Sequence, residues 1–125
     1  MKFMNEKHEE RYNDLMKRGK GVRPEDWERI PVMYVLSGNE DLYDKANDLY
    51  DFKTGYFKVE YVEDEKGNNK VTWGIPLSSS ERVMTTLAFD IFAGEYNVSV
   101  HELFRVLDSN NTRLALRTIE LAYTY

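Results

Sequence analysis

The sequence predicts a mainly α protein: a compact bundle of five or six short helices with one peripheral β-hairpin at about residues 56–73. Three observations support this fold class. Apolar residues recur at helical spacing along most of the chain, Ser, Asn and Asp residues stand where helix caps are needed, and β-branched and aromatic residues concentrate in one stretch. The length of 125 residues fits a single domain, residues 1–125.

The first predicted helix begins after a cap at Asn5 and ends at Gly19. On a helical wheel His8, Tyr12 and Leu15 fall on one side and charged residues on the other. This amphipathic pattern predicts that His8 is half-buried against the core.

The second helical region contains a proline that interrupts it. Pro24 starts a helix that either kinks or ends near Arg29, because Pro31 removes a helical hydrogen bond. A new helix is expected from Pro31 to Leu36, with Gly38 ending it.

The stretch DLYDKANDLYD, residues 41–51, is predicted to form a helix capped by Asn39. Its repeated DLYD equals two helical turns, so amphipathicity alone explains the repeat. Four aspartates then share one side of the helix and form an acidic ridge: Asp41, Asp44, Asp48 and Asp51. This ridge is interpreted mainly as a solvated face, with contact to a protein partner as the alternative.

The predicted hairpin consists of residues 56–62 and 70–73, separated by the turn-forming stretch EDEKGNN. It carries more aromatic area than two strands need, and tyrosine is enriched in binding surfaces. The aromatic residues predicted to bind a partner are Tyr56, Phe57, Tyr61 and Trp73.

Three helices in the second half are expected to supply the core. Their predicted caps are Ser78 with Glu81, Ser99 with Glu102, and Asp108 or Ser109. The first of them ends at Gly94. The side chains expected at the centre of the core are Leu87, Ile91, Phe92, Leu103, Leu107, Leu114 and Ile119.

Composition excludes several classes of function. Without cysteine, the chain has no disulfide, thiolate nucleophile or cysteine-bound zinc, which fits a cytoplasmic protein. A net charge of −5 disfavours binding to nucleic acid or to anionic membranes. The apolar runs are too short to cross a bilayer, and the charged N-terminal stretch is not a secretory signal.

No catalytic residue, metal ligand or cofactor is assigned. His8 and His101 are each followed by glutamate but lack the second histidine of a zinc-protease motif. The serines at 78–80 lack a nucleophile elbow and are explained by helix capping. Loops starting at Asp64 and Asp108 lack the glutamate that calcium loops need at position twelve.

A basic, glycine-bearing loop offers an alternative site for a small anion. A loop of this kind can hold a phosphate through backbone amides, although the Walker spacing is missing. The candidate ligand-binding residues are Lys17, Arg18, Lys20 and Arg23.

Four stretches carry a resemblance to a known family: MKFMNEKHEERYNDLM, YVLSGNEDLYDKANDLYDF, LSSSERVMTTLAFDIFAG and VLDSNNTRLALRTI. They resemble a family of small proteins from Gram-positive bacteria and their phages or mobile elements, catalogued as a domain of unknown function. Residues 54–76 look like a variable insertion outside this resemblance. The family implies no catalytic residues, but its association with mobile elements implies an accessory role.

The leading hypothesis is therefore a non-enzymatic, cytoplasmic module that binds a protein partner or a second copy of itself. It would use the hairpin aromatics and the acidic ridge. The alternatives are a nucleotide- or phosphate-binding protein that uses loop 17–23, and a small hydrolase built on acids and a histidine.

Overall fold

A computed structural model describes residues 1–19 and 26–124. Within these residues the chain forms seven helices and two antiparallel two-stranded sheets, which confirms the mainly α fold class. The helices are α1 Glu6–Arg18, α2 Ile30–Gly38, α3 Glu40–Asp44, α4 Ala46–Leu49, α5 Ser79–Ala93, α6 Val100–Val106 and α7 Ser109–Tyr123. The strands are β1 Tyr50–Asp51, β2 Tyr56–Phe57, β3 Glu60–Glu63 and β4 Asn69–Thr72.

Helix α1 follows the sequence prediction. The Asn5 side chain accepts a hydrogen bond from the backbone N–H of His8 at 2.9 Å, and the helix ends before Gly19. Tyr12 and Leu15 are buried, but His8 is fully rather than half buried. The prediction that this side of the helix faces the core is confirmed, but His8 is more deeply buried than predicted.

Helix α2 forms the centre of the core. Residues 30–37 are all buried, and the helix packs against α1, α5 and α7. The helix begins at Ile30 with Pro31 in its first turn, as predicted, because the missing N–H of proline is tolerated there. Residues 27–29 form a turn rather than helix, and the predicted start at Pro24 lies outside the described residues.

This central position corrects the predicted core. Its centre was expected among the later helices, but α2 is buried all round and the later helices cover it. Three of the predicted core side chains are buried: Leu87, Leu103 and Leu114. Four are partly buried at its edge: Ile91, Phe92, Leu107 and Ile119.

The stretch 41–51 does not form one helix. The chain leaves helical geometry at Lys45, which separates α3 from α4, and Tyr50 and Asp51 form strand β1. The Lys45 ammonium lies 2.8 Å from Glu81 Oε2 at the first turn of α5. This contact ties the break between α3 and α4 to the core helix.

The predicted hairpin is divided between two sheets. Strands β3 and β4 pair as a hairpin, with Tyr61 opposite Val71 and Val62 opposite Lys70. Tyr56 and Phe57, predicted to open the hairpin, instead form β2 and pair with β1. The prediction of one hairpin over 56–73 was therefore right for the segment beginning at Glu60 only.

The three later helices begin at the predicted capping residues. Ser78 and Glu81 form a capping box, and Gly94 ends α5 with a positive φ of 67°. The Ser99 side chain caps α6, but the predicted capping box with Glu102 is incomplete, because the Glu102 carboxylate accepts from the Ser99 hydroxyl instead of the Ser99 backbone N–H. Asp108 rather than Ser109 caps α7. None of the helices in residues 1–19 and 26–124 has the length and apolar character needed to span a bilayer.

Candidate protein interface on the β-hairpin

Two of the four predicted interface aromatics belong to the core. Phe57 and Trp73 are 7% and 5% exposed, and their rings lie 5.6 Å apart against Phe89 of α5. The Trp73 indole N–H donates to the Thr86 hydroxyl at 3.1 Å. Because both rings pack on α5, the prediction that they present a contact surface is wrong for this structure.

The other two aromatics lie on the surface. Tyr56 is 63% exposed, and its ring centroid lies 6.3 Å from that of Phe92. Tyr61 is 50% exposed, and its ring lies 6.4 Å from that of Phe89. Both side chains therefore lean on the same end of α5 while keeping much of their area in solvent. We call Tyr56, Tyr61 and the partly buried Phe92 the aromatic face.

Tyr61 is held in place by a polar contact. Its hydroxyl donates to Glu95 Oε2 at 2.8 Å. Burial and the nearby Glu95 carboxylate raise the pKa of Tyr61 to about 12, because both disfavour the phenolate. The side chain is thus a neutral hydrogen-bond donor at any physiological pH.

Strand β3 presents all four of its residues to solvent. Tyr61 and Val62 are flanked by Glu60 and Glu63, and two further acids follow at 64 and 65. Within the described residues β3 pairs with β4 alone, so its other edge lacks a partner strand. An acidic strand with a free edge thus adjoins the aromatic face.

Arg29 fixes the turn that carries Tyr56. Its guanidinium donates to the Tyr50 hydroxyl at 3.2 Å and to the Gly55 carbonyl at 3.1 Å. It also lies 5.3 Å from the centroid of the Phe92 ring, within the range of a cation–π contact. Arg29 therefore orders the turn before Tyr56 and contacts the Phe92 ring on which Tyr56 packs.

The four aspartates do not form one ridge. Asp41, Asp44 and Asp48 are exposed on α3 and α4, which are separate helices. Asp51 lies in β1, and its carboxylate accepts hydrogen bonds from the N–H groups of Lys53 and Thr54. These bonds lower the pKa of Asp51 and assign it to a turn. The helical geometry predicted for the ridge is therefore wrong.

The basic loop is described only in part. Lys17 is exposed, whereas Arg18 contacts Asp14 at 2.6 Å and lies 5.0 Å from the centroid of the Tyr43 ring. Arg18 thus serves contacts within the protein. The other two predicted ligand residues, Lys20 and Arg23, lie outside the described residues.

The two histidines occupy different environments. His8 accepts a hydrogen bond from the Met4 N–H at Nδ1 and donates from Nε2 to the Tyr34 carbonyl, at 3.0 and 2.9 Å. Burial is the main cause that lowers the pKa of His8 to about 4. His101 is exposed on α6. Residues 1–19 and 26–124 contain no cluster of three metal-binding side chains.

A groove between the hairpin and α5 was not predicted from the sequence. It has a volume of about 360 Å³ and lies between β4, α5, the segment at 96–98 and α6. Two cations line it, Lys70 from β4 and Arg82 from α5. These residues are twelve positions apart on different elements, so no local pattern signals their proximity.

Comparison with protein families gives a match over residues 1–124. Residues 54–76 lie inside this match, so their interpretation as a segment outside the resemblance is wrong. No curated protein and no solved structure matches the chain. The matched family is DUF6075, a family of unknown function, and the chain belongs to it.

Proposed function

We propose that the protein is a non-enzymatic accessory module that binds a partner protein through the aromatic face and strand β3. The observation that carries this proposal is the exposure of Tyr56 and Tyr61 beside two aromatic residues that are buried. Tyrosines held by packing and hydrogen bonds lose little conformational entropy on binding, and such residues often dominate interface energies.

The partner that fits this surface is a basic segment in extended conformation. An extended chain can add to the free edge of β3 through backbone hydrogen bonds. Glu60 and Glu63, with the acids at 64 and 65, provide charge complementary to lysine or arginine. The exposed aspartates Asp41 and Asp44 add negative charge elsewhere on the surface but are not needed for this contact.

The proposed setting is the cytoplasm of a Gram-positive bacterium, with the protein encoded by a phage or mobile element. The resemblance of the helical segments to proteins of such elements supports this setting. A chain without cysteine is also suited to a reducing compartment.

Affinity capture with matched variants tests the proposal. The wild type, Tyr56→Ser/Tyr61→Ser and the control Tyr123→Ser are used to capture proteins from cells that naturally encode the protein. Tyr123 is an exposed tyrosine on α7, outside the aromatic face. The double variant should bind the captured partner at least about tenfold more weakly than the wild type, whereas the control should bind it as tightly as the wild type. The amount of partner that the wild type retains should also fall as the salt concentration is raised, because salt screens the attraction between the acidic strand and a basic segment.

Two outcomes would contradict this proposal. Equal capture by all three proteins would show that the aromatic face is not the interface. Self-association of the wild type that the double variant lacks would identify a second copy of this chain, rather than a basic segment, as the occupant. Circular dichroism of each variant verifies that the fold is retained.

A further inference from the structure

The groove beside β4 is lined by two cationic side chains that form no ion pair within the described residues. The side chains of Lys70 and Arg82 make no ion pair or hydrogen bond in residues 1–19 and 26–124. They come from a strand and a helix and line one groove, in a protein whose net charge is −5. Two cationic side chains that line one groove give it a local positive potential, which favours an anionic ligand.

The wall opposite the hairpin is rigid. The buried Asp90 carboxylate accepts hydrogen bonds from the backbone N–H groups of Asn97 and Val98 at 2.8 and 2.9 Å. It also accepts from the Asn97 side-chain amide at 2.8 Å. These three bonds hold Asn97 and Val98 against α5. This part of the groove wall is therefore ordered before a ligand binds, as is usual in small-molecule sites.

An aromatic ring stands at the edge of this wall. Tyr96 lines the groove and is 99% exposed, so both faces of its ring are available for stacking. Its neighbour Asn97 is occupied by Asp90 and Glu95. Tyr96 thus offers apolar area beside the cations and makes no hydrogen bond of its own in the described part of the chain.

Glu102 gives the groove a second polar character. Its carboxylate also lines the groove and lies 3.3 Å from the Ser99 hydroxyl. It offsets one of the two positive charges, so the groove suits a ligand with an anionic end and hydroxyl or amino groups elsewhere. A volume of about 360 Å³ is sufficient for a compact organic molecule.

From this arrangement we infer that the groove binds the phosphate monoester of a small ring-bearing compound, of which a nucleoside monophosphate is the type. Lys70 and Arg82 would hold the phosphate through charge-assisted hydrogen bonds, since arginine can donate two parallel bonds to phosphate oxygens. Tyr96 would stack on the ring, and Glu102 would accept from hydroxyl groups. None of the residues that line this site belongs to the aromatic face or to the candidate ligand residues named from the sequence.

Calorimetric titration with three probes tests the inference: inorganic phosphate, adenosine monophosphate and adenosine. We expect adenosine monophosphate to bind at least about tenfold more tightly than phosphate or adenosine, because it alone engages both the cations and Tyr96. Tyr96→Ala should reduce its affinity towards that of phosphate. Absence of binding of all three probes at millimolar concentration would overturn the inference.

A matched pair of variants locates the site. Lys70→Gln/Arg82→Gln should weaken the binding of adenosine monophosphate about tenfold or more, whereas Lys66→Gln/Arg105→Gln should leave it within twofold. The control removes one lysine from the hairpin and one arginine from a helix, both exposed, and changes the net charge equally. Equal losses in both variants would indicate unspecific attraction and overturn the inference. Nuclear magnetic resonance spectra of the wild type, titrated with adenosine monophosphate, show which backbone amides respond. Chemical shift changes confined to residues away from the groove would also overturn the inference.

Discussion

Two sets of aromatic residues in the segment 56–73 differ in what they do: a buried set at the base, against the core, and an exposed set on the outside. At the base, Phe57 and Trp73 pack on α5 and close the core. On the outside, Tyr61 and Tyr56 lean on the same helix but remain half or more exposed. The same class of side chain therefore stabilises the fold at one level and is available for recognition a few residues away. Substitutions at the two levels should separate these roles.

The largest expected effect on stability is at the base. Trp73→Ala should lower the free energy of unfolding by about 3–5 kcal/mol, because it opens a cavity against α5 and removes the donor to Thr86. Urea denaturation followed by circular dichroism measures the change. Tyr96→Ala serves as the control, since that ring is exposed, and should leave the urea midpoint almost unchanged. A comparable midpoint for both variants would show that the base does not close the core.

A second contrast between buried and exposed groups concerns the histidines. His8 has a pKa of about 4 in the folded protein and an ordinary value near 6.5 when unfolded. Above pH 6.5 both states are neutral, so His8 adds no pH dependence. As the pH falls below 6.5 the unfolded state binds the proton first, and folding loses stability until the pH reaches about 4. The loss is on the order of 2 kcal/mol at pH 5.

Comparison of His8→Gln with His101→Gln tests this prediction. The glutamine amide retains a donor for the Tyr34 carbonyl but does not titrate, so the decline in stability between pH 7 and pH 5 should be smaller in His8→Gln. His101→Gln alters an exposed ring and serves as the control for replacing a histidine at the surface. The ring signals of His8 in nuclear magnetic resonance spectra give its pKa directly, and a midpoint near 6.5 would contradict the prediction.

The helix caps and the break between α3 and α4 illustrate what local sequence signals can and cannot predict. Caps at Asn5, Ser78 and Asp108 were predictable, because each is a side chain bonding to its own helix turn. The helix break at Lys45 was not, since the helical pattern of 41–51 continues through it. The break accompanies contacts with distant residues, including the ion pair to Glu81 and the hydrogen bond between Tyr50 and Arg29.

The candidate surfaces show the same division. Alternation of side chains along a strand predicts two faces but not which one α5 covers, so Phe57 and Tyr61 were indistinguishable in the sequence. Pairing of β2 with β1 instead of β4 depends on where α4 ends. The groove lined by Lys70 and Arg82 exists only because the hairpin packs beside α5. Tertiary contacts decide all three features.

A smaller effect on stability is expected at the turn between β1 and β2, which precedes Tyr56. Gly55 has a φ of 78°, and a Cβ there would lie 3.1 Å from the Arg29 guanidinium. Gly55→Ala should cost about 1–2 kcal/mol through left-handed strain and crowding of Arg29. Gly67 has a similar φ of 79° but meets only the flexible end of Glu63, so Gly67→Ala measures the strain alone. If the two variants unfold at the same urea concentration, Arg29 does not restrain the turn.

The smallest effect on stability is expected at the outer level, where we propose that function resides. Tyr56→Ser/Tyr61→Ser should change the free energy of unfolding by about 1 kcal/mol or less, because half or more of each side chain is already in solvent and the bond from Tyr61 to Glu95 is exposed. Urea denaturation beside Trp73→Ala measures this difference. A loss as large as that of Trp73→Ala would show that the aromatic face belongs to the core. A small loss together with abolished partner capture would separate recognition from folding, since the same two rings would then be dispensable for the fold and required for binding.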